Sequence, residues 1–224
     1  MVNDLIIPTK ISELLAEETG LHIGDGTMNF YRQKNKIKGS YELRGHIIDD
    51  RPHYDTRIKE IYKELYNIKV PLKEMRKTGV FGFQIWSDSL VNFKSKILGL
   101  PLGPKKEISI PYQFLNKNHL KKAVIRGIYD TDGCLYIEKK RNQSLYPRIK
   151  FTTTSGILAK QIKKELVKLN IRATHYFHRR KEKNWNDLHS VEVRGEMMLI
   201  KFFSNIKPGN PKHIEKYESF LNNS

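Results

Sequence analysis

The chain has 224 residues, with 41 Lys and Arg against 24 Asp and Glu, a formal charge of +17 and a sequence pI near 9.8. That excess points to a polyanionic partner, while the 11 Tyr, 10 Phe and 2 Trp spread along the chain exclude a disordered basic tail and the length is ample for one or two cores. The single cysteine, Cys134, excludes an internal disulfide and a CxxC metal knuckle, no apolar run approaches about 18 residues, and Asp4, Glu13, Glu17 and Glu18 make the start unlike a leader, so a cytosolic protein with no membrane partner is expected.

In chain order, Ile11, Leu14, Leu15 and Glu18 fall at helical spacing behind a candidate cap, Ser12, and predict a helix over 10–24. Strands are expected over 27–33 and 40–49, joined by a polar turn at 34–39. A helix follows over 54–66, from Ile58, Ile61 and Leu65. Next come strands over 68–77 and 80–86 about the hinge Thr78-Gly79, and a helix over 88–99. Residues 100–114 hold Pro101, Gly103, Pro104 and Pro111 and read as a non-helical connector. The order then repeats: helix 118–131, strands 134–140 and 146–153, helix 156–169, strands 171–181 and 188–193, helix 196–205 and a last helix over 213–221. The expected fold is α+β, αββαββα written twice with pseudo-twofold symmetry and two antiparallel, saddle-like sheets. The domains divide as 1–100, a linker 101–116, and 117–224.

Two of the helices carry one pattern at a constant offset of 107 residues: Ala16, Gly20, Gly24, Asp25, Gly26, and Ala123, Gly127, Thr131, Asp132, Gly133. Pro104-Lys105 and Pro211-Lys212 recur at the same offset, so each copy pairs a carboxylate with a lysine about 80 residues downstream. Residues at i, i+4 and i+8 share a helix face, and a stripe of small ones lets another helix approach backbone to backbone. Packing the two stripes together brings Asp25 and Asp132 side by side at helix C-termini, where the helix dipole disfavours a carboxylate by about 0.3–1 kcal/mol. A cation between them relieves this, and hard oxygen ligands suit Mg²⁺, with Mn²⁺ able to substitute.

On these residues the sequence resembles the LAGLIDADG homing endonucleases in their single-chain, two-motif form. The matching stretches are Glu18-Thr19-Gly20-Leu21-His22-Ile23-Gly24-Asp25-Gly26 and Ile125-Arg126-Gly127-Ile128-Tyr129-Asp130-Thr131-Asp132-Gly133. His22-Ile23, Tyr129 and Thr131 depart from the usual pattern. The resemblance implies divalent metal on Asp25 and Asp132, helped by the carbonyls of Gly24 and Thr131. It also implies Lys105 and Lys212 as basic residues flanking the reacting phosphates, with Lys106 a near substitute for Lys105. The implied activity is a site-specific, Mg²⁺-dependent double-strand break across a minor groove of a long DNA target, leaving short 3′ overhangs, by a monomer. A cytoplasmic, nucleoid-associated location in a prokaryote is expected, or an organelle if the gene is of organelle origin.

Recognition is expected from the open sheet faces, lying along the major groove. The candidates are Arg32, Lys34, Arg44, His46, Lys73 and Arg76 in the first half, and Arg141, Arg148, Lys150, Arg172, His175, Arg179 and Lys181 in the second. His175-x-x-His178 also admits a metal-pair reading, but without further clustered ligands the polar face of a strand is favoured. Two alternatives stay open beside cleavage: an intron maturase binding its host intron RNA, and a DNA-binding regulator without chemistry. Retention of both Asp25 and Asp132 favours cleavage. An intein is disfavoured, because no Cys or Ser initiates the chain and no His-Asn ends it.

Overall fold

The computed structural model of the protein describes residues 5–140, 143–180 and 186–223. Helix α1 (Glu13–Asp25) begins where the Ser12 side chain accepts from the Leu15 amide at 3.1 Å, three residues later than the spacing suggested. Its last residue runs directly into β1 (Gly26–Gln33), because Gly26 is already extended. Strand β2 (Lys36–His46) pairs from Lys36 against Gln33, so the polar turn is two residues long, with Lys34 at φ 52°. One helix, α2, then runs over 51–66 with a π turn at Tyr54–Ile58, and stops at Asn67 in the left-handed conformation.

Strand β3 is only Lys73–Met75, shorter than the expected 68–77, because a 3₁₀ turn at Arg76–Thr78 and Gly79 at φ 67° break it before β4 (Val80–Trp86). Helix α3 spans 88–97, capped by Ser87 and closing as a π turn. The connector buries Ile108, Ile110 and Phe114 and is held by Gln161, whose side chain bonds both the amide (2.7 Å) and carbonyl (3.2 Å) of Ile110.

The order repeats as α4 (Asn118–Asp132), β5 (Gly133–Lys140), β6 (Gln143–Thr153), α5 (Gly156–Lys168), β7 (Ala173–His178), β8 (Leu188–Arg194) and α6 (Glu196–Ile206), followed by α7 (Pro211–Leu221). Strand β7 is shorter than the expected 171–181. Helix α7 starts two residues earlier than expected, because the Asn210 side chain accepts from the Lys212 amide at 3.2 Å and Pro211 sits at the first helical position. The fold is α+β with two four-stranded antiparallel sheets of identical topology, β1-β2-β4-β3 and β5-β6-β8-β7.

Among the described residues, α1 against α4 is the most extensive contact between helices. A Cβ on Gly20 would lie 2.2 Å from the Val124 carbonyl oxygen, and one on Gly127 would lie 2.1 Å from that of Glu17. The two helices therefore touch main chain to main chain. Charge crosses the same seam: buried Glu17 takes Arg57 of its own half at 2.7 Å and Arg126 of α4 at 2.9 Å. At the very next residue, fully buried Glu18 accepts Lys94 at 2.6 Å together with the hydroxyls of Tyr62 (2.6 Å) and Tyr66 (3.0 Å). Those bonds satisfy a pair whose desolvation would otherwise be costly. Position 125, the counterpart of Glu18, is a buried isoleucine.

Gly20→Leu forces a branched side chain into a backbone contact and is expected to lower stability by about 3 kcal/mol or more. Urea unfolding of the variant at wild-type midpoint would refute the close packing.

Candidate active site at the paired helix ends

The backbone contact ends at Gly24, where a Cβ would meet the Thr131 hydroxyl oxygen at 1.9 Å and would stand 3.5 Å from the Asp132 carboxyl carbon. Thr131 turns that hydroxyl back to donate to Gly127 (3.0 Å) and Ile128 (3.1 Å), so it fits where the first motif has Gly24. Asp25 and Asp132 thus emerge together from the seam. Burial pushes the Asp25 carboxyl up to about 8, with the charges of Asp132 and Asp50 adding and those of Lys105 and Lys212 opposing. Asp132 is raised as well, first by burial of its carboxyl although the residue as a whole is exposed.

Lys105 reaches the same point from the connector. Its ammonium donates to the carbonyls of Ile23 (3.0 Å) and Gly24, among the last main-chain oxygens of α1, which lack helical partners. Two crowded carboxylates and a carbonyl cradle that already holds a cation fit a hard divalent ion. Asp25 and Asp132 would hold it, with the Gly24 and Thr131 carbonyls at hand and water or phosphate completing the shell.

Lys212 has a different surrounding. Its ammonium bonds Asp50 Oδ1 at 2.5 Å, and Asp50 also accepts the His46 amide (2.7 Å) and the Asn210 side chain (3.0 Å). Asn210 donates onward to the Asp130 carbonyl at 2.8 Å, and the Asp130 carboxyl takes the Gly209 amide at 2.9 Å. Burial raises the Asp130 carboxyl to about 7, and lowers the His53 ring, 3.9 Å away, to about 4. Sequence reading missed Asp50, Asn210 and Asp130. Their signals were there: Asp50 immediately precedes a helix, Asn210 precedes a helix-opening proline, and Asp130 stands where the first motif has Ile23.

Strand alternation sorts the predicted recognition residues. In the first sheet Met28, Tyr41, Leu43, Phe83 and Ile85 are buried under the helices, and the pairs Asn29–Ser40, Thr27–Glu42 and Ser40–Trp86 share the open face. Arg44, His46 and Lys73 lie on that face; Arg44 bonds Glu42 at 3.0 Å and His46 contacts Asp49 at 3.1 Å. Lys34 sits at the hairpin tip, and Arg76, in the 3₁₀ turn, bonds Glu74 at 3.1 Å. Arg32 shares its side of β1 with Met28 and Phe30 and so points away from the open face.

In the second sheet Arg148 and Lys150 are on the open face with Tyr176, Glu192 and Arg194. Arg148 bonds Glu138 at 2.7 Å and Arg194 bonds Glu192 at 2.7 Å. His175 is on the opposite side of β7, against His189 at 3.0 Å, whereas His178 is open and bonds Ser190 at 2.9 Å. Three residues apart on a strand, the two histidines face opposite ways and form no metal pair. Arg172 and Arg179 flank β7 and are exposed, and Arg141 and Lys181 lie outside the described residues. Lys36, Lys38 and Arg194, missed because β2 was begun too late and β8 ended at Val193, also occupy the open faces.

The repeated helix ends and paired sheets define a duplicated fold built around one two-carboxylate centre. Residues 119–207 match the model of the LAGLIDADG-like domain. The chain is similar in structure to I-DmoI in complex with DNA and Ca, at a TM-score of 0.63 and 15% identity over 92% of this chain and 97% of that one. It is likewise similar to the LAGLIDADG meganuclease I-AabMI bound to uncleaved DNA, at a TM-score of 0.60 and 15% identity over 95% and 90%. The protein thus carries the LAGLIDADG fold in its single-chain, two-motif form. A glutamine–fructose-6-phosphate aminotransferase from Methanocaldococcus jannaschii is 25% identical over 221 residues, 98% of this chain, and the chain spans only 18% of that protein's length.

The raised Asp25 carboxyl fixes a sign. Its folded value, about 8, lies above the unfolded one, so this group costs stability progressively as pH rises from the unfolded value through about 8. In EDTA, Asp25→Asn is expected to be more stable than wild type near pH 9, and the gap should narrow steadily as pH falls to 5. An equal gap at both ends of that range in thermal melts would contradict the assignment.

Proposed function

We propose that the chain is a site-specific, Mg²⁺-dependent DNA endonuclease that makes a double-strand break in a long target and leaves short 3′ overhangs. The observation that carries this is the pairing of Asp25 with Asp132 at the ends of two helices in main-chain contact, between two open sheet faces. I-DmoI and I-AabMI, which share the fold, were each solved with DNA, and I-DmoI also with Ca and Mn. Both carboxylates come from one chain, so a monomer suffices.

The residues divide the work. The rigid seam fixes the two carboxylates, which would hold the ion; when bound, a divalent ion there would supply Lewis-acid polarisation of the scissile phosphate and activation of a water. Lys105 and Lys212 supply positive charge beside the centre, where negative charge grows on the reacting phosphates. The open faces, with Arg44, Lys73, Arg148, Lys150 and Arg194, would lie in the major groove on either side, and the Glu partners of Arg44, Arg148 and Arg194 would be exchanged for phosphates or base edges. A non-cleaving DNA-binding protein needs no such carboxylate pair at the seam.

The test is cleavage of a plasmid library of candidate target sites in Mg²⁺ or EDTA, with the ends sequenced. Metal-dependent cuts at one long site are expected, and Asp25→Asn should reduce double-strand cleavage by at least about 10³-fold. Retained cleavage in that variant would end the mechanism. Affinity for the target should fall steeply between about 50 and 200 mM salt, since many phosphates are contacted; a flat response would assign the +17 charge to another role.

A further inference from the structure

The two lysines of the repeat are not in equivalent states. Lys105 has carbonyl oxygens for partners and, among the described residues, no carboxylate within ion-pair distance. Lys212 is clamped by Asp50 at 2.5 Å, and Asp50 is 6% exposed and pinned from two further directions by His46 and Asn210. The counterpart of Asp50 in the repeat is Ser155, since each immediately precedes the helix that follows the second strand of its half. Ser155 is buried and neutral; it donates to the Ile108 carbonyl at 2.7 Å and accepts from the Leu158 amide, so it cannot hold Lys105.

The cause of the difference lies in the motifs. Asp130 anchors Gly209 and Asn210, which place Asn210 and Lys212 against Asp50. At the corresponding place the first motif has Ile23, which offers no such anchor, and Lys105 falls instead on the carbonyls of α1.

Resting on the nuclease reading, we propose that Asp50 is a positioning residue that ties up the Lys212 ammonium and so makes the two strands of the target break at unequal rates. An ammonium clamped directly by a carboxylate contributes less to a developing phosphate charge than one hydrogen-bonded to carbonyl oxygens alone. To act, Lys212 must loosen its bond to Asp50, whereas Lys105 needs only to leave carbonyl dipoles. The strand served by Lys212 is the slower one.

The experiment follows supercoiled plasmid bearing the target, with each strand end-labelled separately, in Mg²⁺. Wild-type protein should accumulate nicked circles, always cut in the same strand. Asp50→Asn and Asp50→Ser, the latter borrowing the residue of the other half, should each speed the slow strand several-fold relative to the fast one and shrink the nicked intermediate. Lys212→Gln should slow only the strand that is already slow, and provides a reading that does not depend on Asp50 variants folding. Target affinity in EDTA checks the fold of every variant. Equal strand rates in wild type, an unchanged ratio in folded Asp50 variants, or equal slowing of both strands by Lys212→Gln would overturn the proposal. Absence of any cut by wild type would refute the nuclease reading itself.

Discussion

The main-chain contact between α1 and α4 at Gly20 and Gly127 is the constraint on which the rest depends. At that separation no side chain intervenes, so the relation of the halves is set by backbone sterics rather than by adjustable packing. Everything functional is referred to the seam. Asp25 and Asp132 leave it together, Gly24 and Thr131 close it, and each helix passes straight into the first strand of its sheet. A small shift in the helix crossing would move both carboxylates and both sheets at once.

Electrostatics runs against packing at this point. Burial and mutual repulsion keep Asp25 protonated well above the ordinary carboxylate range, and Lys105 compensates by resting on the helix-end carbonyls. The centre is thus destabilised without a cation and prepared for one, a common arrangement where function takes precedence over local stability. The cost is absorbed elsewhere, in a continuous core that runs through both halves and in the satisfied Glu18–Lys94–tyrosine cluster.

Much of this was legible in the chain. The offset between Asp25 and Asp132, the small-residue stripes and the Pro-Lys steps together specify a duplicated fold, because helix periodicity and repetition are local signals. Strand ends were less legible. β3 shrank because Ile68 and Val70, though apolar and β-branched, are buried outside any strand, and a 3₁₀ turn follows Met75. Arg32 and His175 were assigned to the open faces by charge alone, whereas a shift of one residue in a strand reverses the face. Asp50 and Asn210 could not be linked from sequence, since 160 positions separate them and only the assembled halves bring them to 3.0 Å.

The Glu17 bridge makes the seam unsymmetrical. Glu17 draws on Arg126, whereas the position matching Arg126 in the first motif is Thr19, and the position matching Glu17 in the second is Val124. Two copies of the first half docked on each other would bring two buried glutamates to one seam with only their Arg57 residues to answer them, and two copies of the second half would bring two Arg126 side chains with no acid. Each half therefore recognises the other in preference to itself. The repeat thus joins two unlike halves, one bringing the buried acid to the seam and the other its second guanidinium.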